Sequence, residues 1–156
     1  MNQEMPRPAP EQARLDAMTG TWTAEEKMYP SPWDPKGGTA TGRIVARTAL
    51  GGFFVISDYT QSRGEQVTYE GHGVYRWNPQ ERCYEMLWFD NTGACGTAVV
   101  KGQFEGNRLT FQQAGPMGHS RYIYDFDEPG RYRFRLEMSE DGKAWAAFME
   151  GAYKRV

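Results

Sequence analysis

At 156 residues, 39% of them hydrophobic, the chain is long enough for one domain with a real core and too short for two ordinary ones. Lys and Arg total 18 against 20 Asp and Glu, a net charge of -2, so the chain lacks the basic field that nucleic acid or an anionic membrane surface would require. Apolar runs are no longer than stretches such as Phe53-Phe54-Val55-Ile56, and the opening MNQEMPRPAPEQA has no basic start followed by a hydrophobic segment, so neither a membrane span nor a signal peptide is expected.

Residues 1–9 are proline-rich and should form an extended leader, because proline denies helix and ladder hydrogen bonds. A single domain is expected over 10–156. It begins with a short helix at 10–18: Pro10 suits the first helical position, Glu11 the positive helix end, Leu15 and Met18 share a face, and Gly20 is a natural stop. From Trp22 onward the apolar pattern changes from helical to alternating, and frequent turn signals divide the remainder into about ten strands. The expected strands are 21–28, 39–49, 53–60, 66–77, 82–90, 97–104, 108–113, 119–127, 131–138 and 143–154.

Four hairpins predict one inner surface. In the first, WNPQER as a four-residue connection brings Tyr75 opposite Tyr84 and Gly73 opposite Met86. In the second, FEGNRLTF aligns Val100 and Phe104 with Leu109 and Phe111. A three-residue Glu128-Pro129-Gly130 turn sets Phe126 against Tyr132 and Tyr124 against Phe134. A two-residue Asp141-Gly142 turn sets Met138 against Trp145 and Phe134 against Met149. The strand at 53–60 has no unique facing: a Gly51-Gly52 turn turns Phe53, Val55 and Tyr59 inward, an Arg63-Gly64 turn Phe54, Ile56 and Asp58, and a bulge or longer loop must reconcile them.

A meander of about ten antiparallel strands removes its edges by closing into a barrel in which first and last strands meet. The chain ends GAYKRV, so Arg155 can lie on the indole of Trp22 and close the barrel base. The Gly20-Thr21-Trp22 start, the preceding helix, the strand count and the terminal Tyr153-Lys154-Arg155 resemble the calycin superfamily of lipocalins and fatty-acid-binding proteins. LDAMTGTW, LGGFFV, GVYRWNPQERCYEMLWFDNTG and AYKR are similar to an uncharacterised bacterial family of lipocalin-like single-domain proteins. The resemblance implies an all-β, antiparallel up-and-down barrel.

Such a barrel either packs solid or keeps a cavity for one small molecule. The candidate ligand-binding residues on the inner surface are Tyr69, Tyr75, Tyr84, Met86, Trp88 and Phe111, followed by Tyr122, Tyr124, Phe134, Trp145 and Met149, with Met138 beside them. Their aromatic walls, adaptable methionines and phenolic hydroxyls suit a small hydrophobic or aromatic ligand, and Gly71 and Gly73 leave room. Residues 28–38, MYPSPWDPKGG, form a stiff connection whose Trp33 is expected over the barrel mouth; QQAGPMGHS, with Met117 and His119, is a second candidate loop.

Chemistry has little material. There is no GxSxG, HExxH, P-loop, CxxC or GxGxxG motif, and the two histidines, His72 and His119, are far apart. Neither a catalytic residue, a metal nor a cofactor is expected. Asp58, if inward, or Glu150 would be the general base of an alternative enzyme, an isomerase or hydrolase; a packed barrel with exposed Phe89 or Phe148, acting as an interaction module and giving a homodimer, is the other alternative. Cys83 and Cys95 do not identify a bridge, and a reduced cytoplasmic protein is the plain expectation.

Overall fold

The structure, a computed structural model, describes residues 3–94, 98–116 and 118–156; Cys95, Thr97 and Met117 lie outside the described residues. A 3-10 helix at Pro10–Met18 precedes ten strands: β1 (Gly20–Met28), β2 (Gly38–Ala49), β3 (Phe54–Arg63), β4 (Gln66–Asn78), β5 (Cys83–Asp90), β6 (Val100–Glu105), β7 (Arg108–Gly115), β8 (Gly118–Glu128), β9 (Arg131–Ser139) and β10 (Ala146–Arg155). Each pairs antiparallel with its sequence neighbour, and β1 pairs with β10 to close the barrel. Closure leaves no long unpaired edge, the constraint a meander of this length must meet.

Trp22 stands opposite Arg155 in the closing ladder, and the guanidinium lies 4.7 Å from the indole centroid. The indole N–H donates to the Met18 carbonyl at 3.0 Å, and the ring meets Tyr132 edge-on. Leu15 and Met18 turn from the helix into the same core. Gln12 accepts the Trp77 backbone N–H at 2.8 Å, and the Tyr84 hydroxyl donates to the Glu11 carbonyl at 2.7 Å. The helix therefore plugs one end of the barrel, its apolar face on the core and its polar groups paired with strand backbone.

Three registers differ from the sequence-based expectation. Between β4 and β5, Tyr75 lies opposite Met86, Gly73 opposite Trp88 and Trp77 opposite Tyr84. The connecting residues are 79–82 rather than 78–81, with Arg82 in the left-handed region at φ 52°. This moves the pairing by two residues, and because side chains alternate with period two every residue keeps its face. Between β8 and β9, Tyr124 does face Phe134, but Glu128 pairs with Arg131 across a two-residue Pro129-Gly130 turn, and a bulge between Asp125 and Glu128 takes up the extra residue. Phe126 stays against Tyr132, with ring centroids 5.3 Å apart.

The β9–β10 hairpin departs further. Met138 pairs with Ala146, Leu136 with Met149 and Phe134 with Gly151, with a bulge between Ala147 and Met149. Asp141 does not sit in a two-residue turn: its carboxylate accepts the N–H groups of Lys143 and Ala144 at 2.8 and 3.0 Å, while the Ser139 hydroxyl accepts that of Gly142 at 2.8 Å. These side-chain to backbone bonds offer the chain an alternative to the ladder, so β10 starts at Ala146 and Trp145 precedes it.

The strand with two possible facings turns Val55, Ser57, Tyr59 and Gln61 inward. A register shift next to Gln61 and Ser62, with Gln61 opposite Tyr69 and Ser62 opposite Val67, reconciles this with the turn at Gly64. Asp58 is consequently outside, 2.7 Å from His72 Nδ1. Among the described residues no helix is long and apolar enough to cross a membrane.

Candidate ligand-binding cavity

Opposite the helix-plugged end, the barrel encloses a cavity of about 800 Å³ that opens between the 29–37 connection and the strand ends. That is within the range of roughly 300–1,000 Å³ usual for small-molecule sites. The interior divides in two. At the plugged end Trp22, Leu109, Phe111, Tyr84 and their neighbours pack solid; towards the open end large side chains lie along the wall instead of meeting across the interior. Gly71 lies so close under Trp88 that a Cβ there would come 2.0 Å from the indole, and a Cβ at Gly73 would come 2.6 Å from the Tyr75 ring. The absent side chains let both rings lie flat on the wall. Gly71→Ala is expected to push Trp88 into the cavity, breaking its 2.9 Å hydrogen bond to the Tyr69 hydroxyl and costing about 1–3 kcal/mol. Urea denaturation and the tryptophan emission of the variant measure both effects.

Of the residues expected on the inner surface, Tyr69, Tyr75, Met86 and Trp88 line the cavity from β4 and β5, and Tyr122, Tyr124, Phe134 and Met149 from β8 to β10. Trp33 reaches the mouth, edge-on to Phe148 at 6.2 Å and 67% exposed, so it stands on the rim without sealing it. Four others are elsewhere. Tyr84 and Phe111 belong to the solid end, Tyr84 against Trp77 and Phe104, Phe111 between Tyr75 and Tyr124. Trp145 is on the outer wall beneath the Arg121 guanidinium, 4.1 Å from its ring centroid, with His119 beside it. Met138 is 36% exposed.

Acidic groups in and behind the wall are few and specific. The strongest is Glu26, which is completely buried. Its Oε1 and Oε2 accept the Tyr59 hydroxyl at 2.7 and 2.8 Å, Oε1 accepts the Gln61 amide at 3.2 Å, and the Tyr153 hydroxyl donates to Oε2. Gly42 makes room for this carboxylate: a Cβ there would meet it at 2.5 Å. Tyr59, Gln61 and Tyr153 all line the cavity, so Glu26 lies directly behind its wall. Sequence reasoning passed over this residue. The alternation that turns Trp22 and Ala24 inward continues to Glu26, and following it two residues further would have found it.

Desolvation first, then the neighbouring Glu26 charge, pushes the Tyr59 phenol far above its ordinary value; burial does the same for Tyr153 and Tyr132 and takes Tyr75 up to about 12. These phenols are donors at every physiological pH.

Asp90 forms the second acidic point, at the rim. Burial alone would raise its carboxyl, but the Thr92 and Tyr69 hydroxyls and the Thr92 and Ala94 N–H groups hold it below the usual range. Because its folded value is lower than its unfolded one, the stability it contributes is complete above the ordinary carboxyl range and is lost as pH falls through the folded value. Between pH 7 and pH 3 the wild type is expected to lose more denaturation free energy than Asp90→Asn, which urea titrations at the two pH values measure. Across the mouth Arg63 and Asp34 form an ion pair at 2.6 Å that ties the Trp33 connection to β3.

The carboxylates first suspected of chemistry are on the outer wall. Asp58 pairs with His72, and Glu150 accepts the Tyr29 hydroxyl at 2.7 Å and faces Arg135. Cys83 is buried and its thiol is raised, chiefly by desolvation.

A family model described as "Protein of unknown function (DUF1579)" matches residues 7–155. A comparison with curated proteins finds no match. Solved structures with a similar fold include Rv2717c from M. tuberculosis (TM-score 0.69, 14% identity, 96% of this chain and 99% of that one). They also include the S-type phycobiliprotein lyase CPES from Guillardia theta (0.67, 10%, 96% and 98%) and a mutant of the fluorescent protein UnaG (0.56, 14%, 91% and 98%). At such identities the likeness establishes a shared calycin-like barrel.

Proposed function

The chain belongs to this DUF1579 family of calycin-like barrels, and from that premise we propose that it binds one small hydrophobic or aromatic molecule inside the barrel, without covalent chemistry. The carrying observation is the cavity of about 800 Å³ with an open mouth and a wall made mainly of Tyr, Trp, Phe and Met side chains. Burial of an apolar ligand body against this wall supplies the affinity, about 25 cal/mol for each Å² removed from water. The tyrosine hydroxyls and the Ser57 and Gln61 side chains orient it. That one neighbour is by name a phycobiliprotein lyase and another a fluorescent protein is a reason to include pigments among the molecules screened.

Native mass spectrometry of protein purified from its own cells tests the reading directly, and a bound small molecule is the expected result. In parallel, quenching of tryptophan fluorescence reports entry, since Trp88 is in the wall. If no bound molecule appears and no lipid, haem, pigment or aromatic compound raises the melting temperature, the proposal fails. The enzyme alternative loses Asp58 and Glu150, both on the outer wall; the interaction-module alternative loses the solid barrel it required.

A further inference from the structure

The charges around the cavity are unbalanced. Among the described residues, Asp34 and Asp90 line it and Glu26 is directly behind it, while Arg63 is the one cationic side chain in the wall and is already paired with Asp34. Glu26 has only neutral donors around it, two phenols and an amide. A buried carboxylate without a cation is costly, and its field is weakly screened by salt because the group is fully buried.

In front of the two unpaired carboxylates stand three tilted rings. Tyr59 is 5.9 Å from Tyr69 and 6.4 Å from Trp88, centroid to centroid. Each carboxylate is bonded to one of their hydroxyls: Tyr59 donates to Glu26, and Tyr69 donates to Asp90 at 2.8 Å while accepting the Trp88 N–H. A phenol donating to a carboxylate is polarised towards greater electron density on its oxygen and ring, and electron-rich rings attract cations across their faces.

Two buried side chains are left with unused acceptors on this wall. Gln61, 8% exposed, spends its amide nitrogen on Glu26 and on the Tyr59 oxygen, leaving its carbonyl oxygen without a partner among the described residues. Ser57, 5% exposed, also lines the cavity and turns its hydroxyl to no side-chain partner among the described residues. Both line the cavity, so both oxygens are available to an N–H donor inside it.

We propose that the ligand carries a positively charged nitrogen, an organic ammonium on an apolar or aromatic body, which sits against Tyr59, Tyr69 and Trp88 with Glu26 and Asp90 behind them, and that carboxylate-headed ligands are rejected. This rests on the cavity-binding reading and adds the charge class of its occupant. The apolar body fills the space between Met86, Phe134 and Met149; the ammonium donates to Gln61 Oε1 or Ser57 Oγ and supplies the charge the wall lacks. An anion in the same place would face two carboxylates with no free guanidinium to meet it.

The test uses three probes with one aromatic body: naphthylmethylammonium, naphthylmethanol and naphthoate, each titrated into the full-length protein by calorimetry at pH 7. The ammonium is expected to bind at least about tenfold more tightly than the alcohol and the naphthoate more weakly than both. Glu26→Gln and Asp90→Asn are each expected to shrink the ratio of ammonium to alcohol affinity severalfold, a ratio in which any change of the wall felt by both probes cancels. Asp90→Asn, a rim substitution, carries the test by itself if Glu26→Gln does not fold. Equal binding of ammonium and alcohol, or tighter binding of naphthoate, overturns the charge assignment and leaves the cavity reading standing. Absence of binding by all three overturns both.

Discussion

Trp22→Ala is expected to cost about 3–5 kcal/mol of folding stability, the usual range for truncating a fully buried tryptophan, and to lower the melting temperature by roughly 10 °C for a domain of this size. Three separate contacts go at once: the edge-on packing with Tyr132, the hydrogen bond to the Met18 carbonyl and the cation–π contact from Arg155. The first is the heaviest, because Trp22 is 1% exposed and sits where the helix, β1 and β10 converge. Removing the guanidinium alone separates the terms. Arg155→Ala keeps the indole and its apolar burial, so its cost should fall to about 0.5–2 kcal/mol. Urea denaturation of both variants measures the two losses; equal losses would mean that the ion, not the buried ring, closes the barrel.

Glu26→Ala should be the second most damaging single change, at about 3 kcal/mol by the same measurement. The substitution removes an acceptor that serves Tyr59, Tyr153 and Gln61 together and leaves those donors facing a void in the barrel wall. Adjacency to the cavity limits the damage, since water entering from the mouth can pair with Tyr59 and Gln61, which line it. Tyr153 is 2% exposed and stacked on Tyr132, so it gains least from that water. Tyr153→Phe in the Glu26→Ala background is therefore expected to restore part of the lost stability, because it deletes the stranded hydroxyl. A further loss in the double variant would show that the phenol has another partner.

The ladder of strands was legible because each has a period of two and ends on a strong turn signal. The Gly20–Met28 strand reads Trp22, Ala24, Glu26 inward, and Arg131 to Met138 alternates charged and apolar residues. Closure was legible too, since a ten-strand meander has nowhere else to put its edges and its two ends carry an indole and a guanidinium that match. Facing survived even where register did not: the Tyr75 and Met86 pair replaced the expected Tyr75 and Tyr84 without turning any side chain over, because the slip was by two.

What the sequence could not supply by itself was depth along the barrel axis and the local exceptions to the period. Tyr84 and Tyr75 share a face, yet only Tyr75 reaches the cavity, because the helix at Pro10–Met18 closes the end where Tyr84 sits. Trp145 lies outside because Asp141 captured the backbone N–H groups of Lys143 and Ala144 before β10 began. Alternation is a local property, set by the pleat of one strand. Whether an inward residue packs or lines a cavity depends on which distant segments fill the space opposite it, and only the tertiary structure brings those segments together.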